Sequence, residues 1–441
     1  MGTTERATRT RHLCAGRRRS VLRSTGPAML AACILALAAC GGSGGSPSGA
    51  GGGGDSAPGV TKNSITIGLL MSFTGPIADE FGDIQTGFDA RIAMQNAQGG
   101  VYGRKIKIVN ADDQSSATAV LAAAKNLVQS HNVFAIGEGS PEMFAAYKYL
   151  AQNGVPVVGQ DIDGGPEWSS ANPNLFAVIG SQSSHPVPAK AWGEFLKTQG
   201  VTKVGAIANT YPSALAIINN VADSAKAVGL QAPYVNGTIP ATQVSNFGGV
   251  VQAMQSKAVD GVDTGWGVQQ GFGLLRDATA SGFRQKVKVW IMAANPSSPE
   301  LQDAQARQLA QGTWAVSPVV PPQADVSAAK AFNAAIAKYE HVTEPLTAEG
   351  VGGWLAASAI IEGLKLAGNN PTREAFTSGL RAVSNFTGDG MEIQPVSFTK
   401  SNGTTAADAG PAPQSCVWFM QYEGDQYVPQ PKPICDGLVS G

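Results

Sequence analysis

The chain is predicted to be α/β, built as two similar lobes that each carry a parallel sheet flanked by helices. Three observations point there. Short apolar runs alternate with stretches of helical periodicity from Ile65 to Ser317, separated by turns rich in Gly, Asn and Asp. That alternation restarts at Val204 after a Gly/Ser/Pro-containing stretch. At 441 residues, the chain also exceeds what one hydrophobic core usually holds.

The first 62 residues stand apart from this pattern. Residues 1 to 26 carry seven Arg and one Glu, and Pro27 to Ala39 are almost wholly apolar. That run is short for a membrane span and fits a signal peptide. It ends in Leu37-Ala38-Ala39-Cys40 before Gly-Gly-Ser, which resembles a bacterial lipoprotein signal whose cysteine, Cys40, becomes the lipidated first residue. Arg18-Arg19 loosely matches a twin-arginine signal, so the export route stays open. The expected division is signal 1–39, then lipidated Cys40 with a Gly/Ser tether over 40–62. About 20 such residues reach roughly 25 Å as a coil. Gly41 to Gly45 match the esterase pattern G-x-S-x-G, but without strand-turn-helix context the match carries nothing.

Without the seven Arg and one Glu of the first 39 residues, the 31 basic and 32 acidic residues become 24 and 31, a net of −7. No basic stripe remains to grip phosphates, so nucleic acid is not an expected partner. Cys14 and Cys33 leave with the signal, so Cys416 and Cys435 are the unlipidated cysteines of the mature chain. In an oxidising exported compartment they are expected to pair. A metal site there lacks further His or Cys ligands.

The first series begins with strand Ile65 to Met71, then a helix through Gln98 and the turn Gly99-Gly100. Strand Lys105 to Val109 follows, with Asp112-Asp113 beyond its carboxyl end, and then helix Ala117 to Gln129. Val133 to Ile136 is the third strand. Ser140-Pro141-Glu142 reads as a helix start, because Ser caps, Pro suits the first turn and an acid meets the positive end of the dipole. That helix is expected to run to Asn153-Gly154. Val155 to Val158, the fourth strand, opens into Gln160-Asp161-Ile162-Asp163-Gly164-Gly165. Two parallel strands thus present neighbouring carboxyl-end loops, where open α/β sheets bind small molecules.

The second series reads strand Val204 to Ala208, helix Pro212 to Val228, strand Pro233 to Thr238 and helix Val244 to Lys257. Strand Gly261 to Thr264, helix Val268 to Ser281 and strands Val287 to Met292 and Thr313 to Ser317 complete it. Helices Ser327 to Tyr339, Thr347 to Leu366 and Thr372 to Leu380 suggest a return to the first lobe. Ile393 to Thr399 and Cys416 to Tyr422 read as strands of the second. The expected lobes are 63–181 with 318–388, and 182–317 with 389–441, forming a hinged clamshell.

Over about 380 residues from Ser64, the chain resembles type I periplasmic substrate-binding proteins of the leucine/isoleucine/valine-binding group. The residues that carry this are Ile65-Thr66-Ile67-Gly68 leading to Phe73-Thr74-Gly75-Pro76, then Phe81-Gly82, then Asn96 to Ile106, then Asp112-Asp113. The resemblance implies two Rossmann-like lobes joined by three hinge crossings. It also implies solute capture for the permease and ATPase subunits of an ABC importer, as a monomer on the extracytoplasmic face of the membrane. A branched-chain or related amino acid is the default ligand.

Contacts carry over by position. Ser140 matches the serine at a helix start that holds the ligand's carboxylate, with a plain N-cap as the alternative. The usual small-residue/Thr loop is replaced by Asp161, Ile162 and Asp163, acids that favour an amine, a guanidinium or several hydroxyls, or else are solvated turn residues. Phe81 falls where an aromatic often covers the ligand, or is a core residue. Tyr211 and Trp266 follow strands of the second lobe and are expected as cleft walls. Asn295 stands where relatives often place an acid. A polyamine, polyol or aromatic acid, and a role in sensing rather than transport, remain alternatives. An enzyme is not expected: the mature chain has three histidines, no H-E-x-x-H, no C-x-x-C and no Walker lysine, and no cofactor or metal is implied.

Overall fold

The computed structural model describes residues 57–162, 166–168, 172–179, 188–210, 212–240, 246–265, 268–292, 299–399 and 415–439. The first series comprises β1 (Ser64–Met71), α1 (Ala78–Phe81), α2 (Asp83–Ala97), β2 (Lys105–Asp112), α3 (Ala117–Gln129), β3 (Ala135–Gly139), α4 (Tyr147–Gln152), β4 (Val157–Gly159) and β5 (Leu175–Ala177). The second comprises α5 (Ala191–Thr198), β6 (Lys203–Asn209), α6 (Pro212–Ala227), β7 (Gln231–Ile239), α7 (Gly248–Ser256), β8 (Gly261–Thr264), α8 (Val268–Ala280), β9 (Val289–Ile291), α9 (Ala304–Ala310) and β10 (Trp314–Ser317). The chain continues through α10 (Ser327–Tyr339), α11 (Ala348–Leu366), α12 (Arg373–Arg381), β11 (Cys416–Glu423), β12 (Gln426–Pro429) and β13 (Ile434–Cys435).

Two sheets result. The first is wholly parallel in the order β2-β1-β3-β4-β5. The second runs β7-β6-β8-β9-β10, also parallel, and then adds antiparallel β11 and β12. Both parallel sets are wound alike: the chain starts in the second position, steps to one edge, then returns to the other side. Each therefore has a point where the winding reverses, β1/β3 in the first sheet and β6/β8 in the second. Crevices for ligands lie outside the carboxyl ends of such strand pairs.

Separate cores fill the two lobes. One gathers β6, β8 and β9 with α5 to α8, around Phe195, Phe247, Trp290 and Phe419. The other gathers β1 and α2 with the returning helices α10 to α12, around Phe88, Phe176, Phe332 and Phe376. Thus α10–α12 pack in the same core as β1 and α2. Helix α11 is buried almost all round and has no polar face, which suits a central helix. It crosses α2 at glycines: a Cβ on Gly87 would lie 1.8 Å from the Gly350 carbonyl oxygen, and one on Gly353 2.1 Å from that of Ile84.

Several expectations change. Ile393 to Thr399, expected as a strand of the second lobe, makes one isolated bridge, Phe386 with Val396, and Glu392 just before it bridges Val319. Its Val396 and Phe398 pack in the first core. The helix expected from Ser140 is instead a 3-10 turn, Met143–Ala145, followed by the short α4. Met143, Ala146 and Leu150 still share one buried face. Strands β5, β12 and β13 and helices α5 and α9 lie beyond the expected elements. Cys416 and Cys435 form the expected disulfide, across the β11/β13 pair. It closes a loop worth about 3 kcal/mol in the chain-entropy model.

A buried acid in the second sheet gives a pH signature. Asp263 on β8 is 2% exposed, its Oδ2 has no hydrogen-bond partner among the described residues, and burial raises its carboxyl to about 7. Between the ordinary value of 3.8 and about 7 the folded form keeps a proton that the unfolded chain gives up. This contribution is therefore complete below pH 3.8 and is lost as pH rises toward 7. In urea melts at pH 4.5 and 8, Asp263→Asn should remove a decline of roughly 2–4 kcal/mol that the parent shows. Parallel pH profiles for the two proteins would count against it.

Candidate ligand-binding site

The site is built from the carboxyl ends of the first sheet. The chain leaves β1 through Ser72-Phe73-Thr74, β2 through Asp112-Asp113, β3 through Ser140 and β4 through Gln160-Asp161-Ile162. Asp113 ties three of these exits together. It is fully buried; its Oδ1 accepts from the Ser72 hydroxyl at 2.6 Å and the Ser115 N–H at 2.7 Å, and its Oδ2 accepts from the Ser140 hydroxyl. The Ser140 oxygen in turn accepts from the Glu142 N–H at 3.1 Å, and the Ser140 N–H donates to Glu138 Oε1 at 2.5 Å.

This defines the chemistry of Ser140. Its proton is committed to a carboxylate and its oxygen caps one backbone N–H. The side chain holds the β1/β3 exits in register and, in this arrangement, has no proton left for a ligand carboxylate. Asp112 works similarly nearer the surface, accepting from the N–H groups of Phe73, Thr74 and Gln114 at 3.0, 3.1 and 2.9 Å and from the Thr74 hydroxyl at 2.6 Å. Burial pushes this carboxyl up, but the four hydrogen bonds outweigh it and hold the group below the usual carboxylate range.

The β4 exit is positioned from both sides. A Cβ at Gly159 would lie 2.1 Å from Glu138 Oε2, so the Glu138 side chain covers that glycine. Gln160 donates to the Glu349 carbonyl at 3.1 Å and lies against Gly352, bringing the start of α11 to this edge. Thr347 caps α11 through Gly350, and its own N–H donates to Asp83 at the start of α2. Burial pushes the Glu349 carboxyl up. Asp161 is buried and left-handed, with φ 54. A non-glycine residue rarely sits there, and such strain gathers at ligand loops.

Of the eight expected contacts, Ser140, Asp161 and Ile162 lie at the ends of the neighbouring strands β3 and β4, with Ile162 partly buried against the first core. Phe81, at the end of α1, packs against that same core. Asp163, Tyr211, Trp266 and Asn295 fall outside the described residues. By sequence, Tyr211 follows β6 and Trp266 follows β8, the pair at which the second sheet reverses its winding. Sequence reasoning missed Ser72, Asp113, Glu138 and Gln160 as parts of the site. The signal was available in the adjacent acids that end β2. Among the described residues no group of three or more His, Cys, Asp or Glu is placed to hold a metal ion.

Two α/β lobes of equal winding, with polar residues gathered at a strand reversal, are the architecture of a bilobal binding protein. The periplasmic binding protein family model matches residues 64–426, and the chain belongs to that family. It is 29% identical over 118 residues to the Leu/Ile/Val-binding protein homolog 3 of Brucella melitensis, a match spanning 26% of this chain and 32% of that relative. Among solved structures, an R. palustris ABC transporter solute-binding protein in complex with benzoate aligns over 86% of this chain and 97% of its own, at 19% identity and a TM-score of 0.65. The Streptococcus pneumoniae branched-chain amino acid transporter substrate-binding protein in complex with isoleucine covers 83% and 100%, at 19% and 0.65. A fatty acid ABC transporter substrate-binding protein from Thermomonospora curvata covers 86% and 94%, at 21% and 0.66. At these identities the structural likeness is one of fold.

Proposed function

We propose that this protein is an exported lipoprotein, anchored through Cys40, that captures a small polar solute for the permease and ATPase of an ABC importer. The observation that carries the reading is the pair of winding reversals, β1/β3 and β6/β8, each followed by polar or aromatic loop residues. Solute docks on the first lobe beside Ser140 and residues 161–163, with Phe81 near by. Tyr211, Trp266 and Asn295 close over it from the second lobe. Closure follows because the ligand binds the closed form better than the open one, and the closed shape is what the permease reads.

The first lobe's edge also speaks to ligand class. Asp112, Asp113, Glu138 and Asp161 cluster there, and the Ser140 proton is already taken. Carboxyl groups gathered at one edge favour positive charge beside them, which supports a ligand presenting an ammonium to this lobe, with a polyhydroxyl ligand as the alternative. A branched-chain or related amino acid fits if its amine faces the acids; a polyamine or polyol fits the same wall. The test is a thermal-shift screen against amino acids including isoleucine, polyamines, polyols, sugars and benzoate, since a ligand of the folded state raises its melting temperature. For the compound found, Asp163→Asn should weaken binding by more than about 1.4 kcal/mol, a factor of ten. A screen without a single shift would overturn the capture reading, and an unchanged Kd would place Asp163 outside the site.

A further inference from the structure

Five large apolar side chains are exposed among the described residues, and two of them, Tyr102 and Leu366, belong to one patch. Tyr102 is 53% exposed and Leu366 is 50% exposed. The Tyr102 hydroxyl donates at 2.8 Å to the carbonyl of Lys365, the residue before Leu366. Tyr102 and Gly103 are both left-handed, with φ 48 and 76, in the tight turn closed by the Val101–Arg104 bridge. Turns with two successive left-handed residues favour Asn-Gly, and a bulky ring in the first place is costly. Here the cost goes with holding an aromatic ring out in solvent.

Cations frame the pair. Lys62, Lys105 and Lys365 are exposed, and the Arg104 guanidinium is fixed by the Thr61 carbonyl at 2.9 Å and Asn369 Oδ1 at 3.2 Å. None of the four forms a salt bridge among the described residues. Lys105 donates to the Asn96 carbonyl and Lys365 lies near Glu362, so the ring is not purely cationic. A tyrosine and a leucine framed by these Lys and Arg side chains still match what the headgroup region of an anionic bilayer accepts: amphipathic rings at its depth and cations against its phosphates. The patch also includes Thr61 and Lys62, where the chain enters the folded part from the Gly/Ser-rich segment that follows Cys40. In the sequence, Thr61 stands 21 positions after Cys40.

We propose that this face, formed by residues 61–62, the turn 101–104 and the last turn of α11, rests on an anionic phospholipid surface. The inference builds on the lipid anchor at Cys40. It has a functional corollary. Ser64 pairs with Lys105, so parallel β1 and β2 both start at this face and run eight residues to the ligand edge. At about 3.3 Å per residue, a body lying on it holds the Ser140 edge roughly 25 Å farther from the membrane, turned toward arriving solute.

Mature protein extracted from membranes and reconstituted into vesicles tests this by amide hydrogen exchange. On phosphatidylcholine with roughly 30 mol % phosphatidylglycerol, which supplies a negative surface potential, exchange around 101–104 and 366–369 should slow at least threefold relative to pure phosphatidylcholine. High salt, or the combined variant Lys62→Glu, Lys105→Glu, Lys365→Glu, Tyr102→Ser and Leu366→Ser, should abolish the difference while the melting temperature in solution holds. Equal exchange on the two vesicle types, or protection that survives in the combined variant, would overturn the proposal. The mass of the N-terminal peptide reports separately on the anchor. If Cys40 bears no lipid, the same exchange comparison at millimolar vesicle lipid decides the face by itself.

Discussion

Gly87→Val should destabilise the protein by roughly 3 kcal/mol or more, seen as a lower urea midpoint at unchanged slope. The reason is contact between backbones. Helices α2 and α11 approach so closely that a Cβ at Gly87 would sit 1.8 Å from the Gly350 carbonyl oxygen and 3.1 Å from the Trp354 nitrogen. Backbone atoms inside a helix cannot step aside as a side chain can, so the helices must part and open the core between them. Gly82 provides the comparison. It has ordinary helical φ of −56, and its Cβ would meet nothing nearer than the Ala78 oxygen at 3.6 Å. Gly82→Ala should therefore stay within about 0.5 kcal/mol of the parent. Equal effects at the two positions would refute the close crossing.

Asp113→Ala is expected to cost roughly 2–4 kcal/mol and to weaken solute binding at least tenfold. Removing the carboxylate leaves the Ser72 hydroxyl, the Ser115 N–H and the Ser140 hydroxyl without their acceptor, two of them on side chains with no exposure. A buried donor stripped of its partner costs about 1–3 kcal/mol, part of which water recovers. Asp113→Asn keeps the shape and one acceptor, so it should fall between the two in both readouts. A melt within about 0.5 kcal/mol of the parent would show that the three strand exits hold together without this residue.

Much of the fold was legible because it depends on patterns that local sequence carries. Gly261–Thr264 and Ser327–Tyr339 have the bounds that their apolar spacing predicts, and the helix expected over Thr347 to Leu366 differs only in that Thr347 is its cap. The misreadings have a common origin. Leu175–Ala177 and Ile434–Cys435 are too short to show a period, and pairing with β4 and β11 defines them as strands. Ile393 to Thr399 has the alternation of a strand, yet its apolar side chains are taken up by the first core. The site was half legible. Ser140 could be located from its turn chemistry, but that its proton goes to Asp113, 27 positions earlier, is a long-range fact. No local pattern encodes it.

The return of α10–α12 to the first lobe bears on how the chain matures. Arg91 on α2 is held by Ser358 and Asp389, across 267 and 298 positions of sequence, and Phe134 and Phe176 meet Phe376 edge-on. A polypeptide emerging from its N-terminal end cannot finish its first globule until nearly all of it has been synthesised, because the missing wall comes last. Contacts of such span form slowly, since distant segments must find each other before any are stabilised. The first lobe of the nascent molecule thus stays incomplete for most of its elongation, with apolar segments that only the last helices will cover.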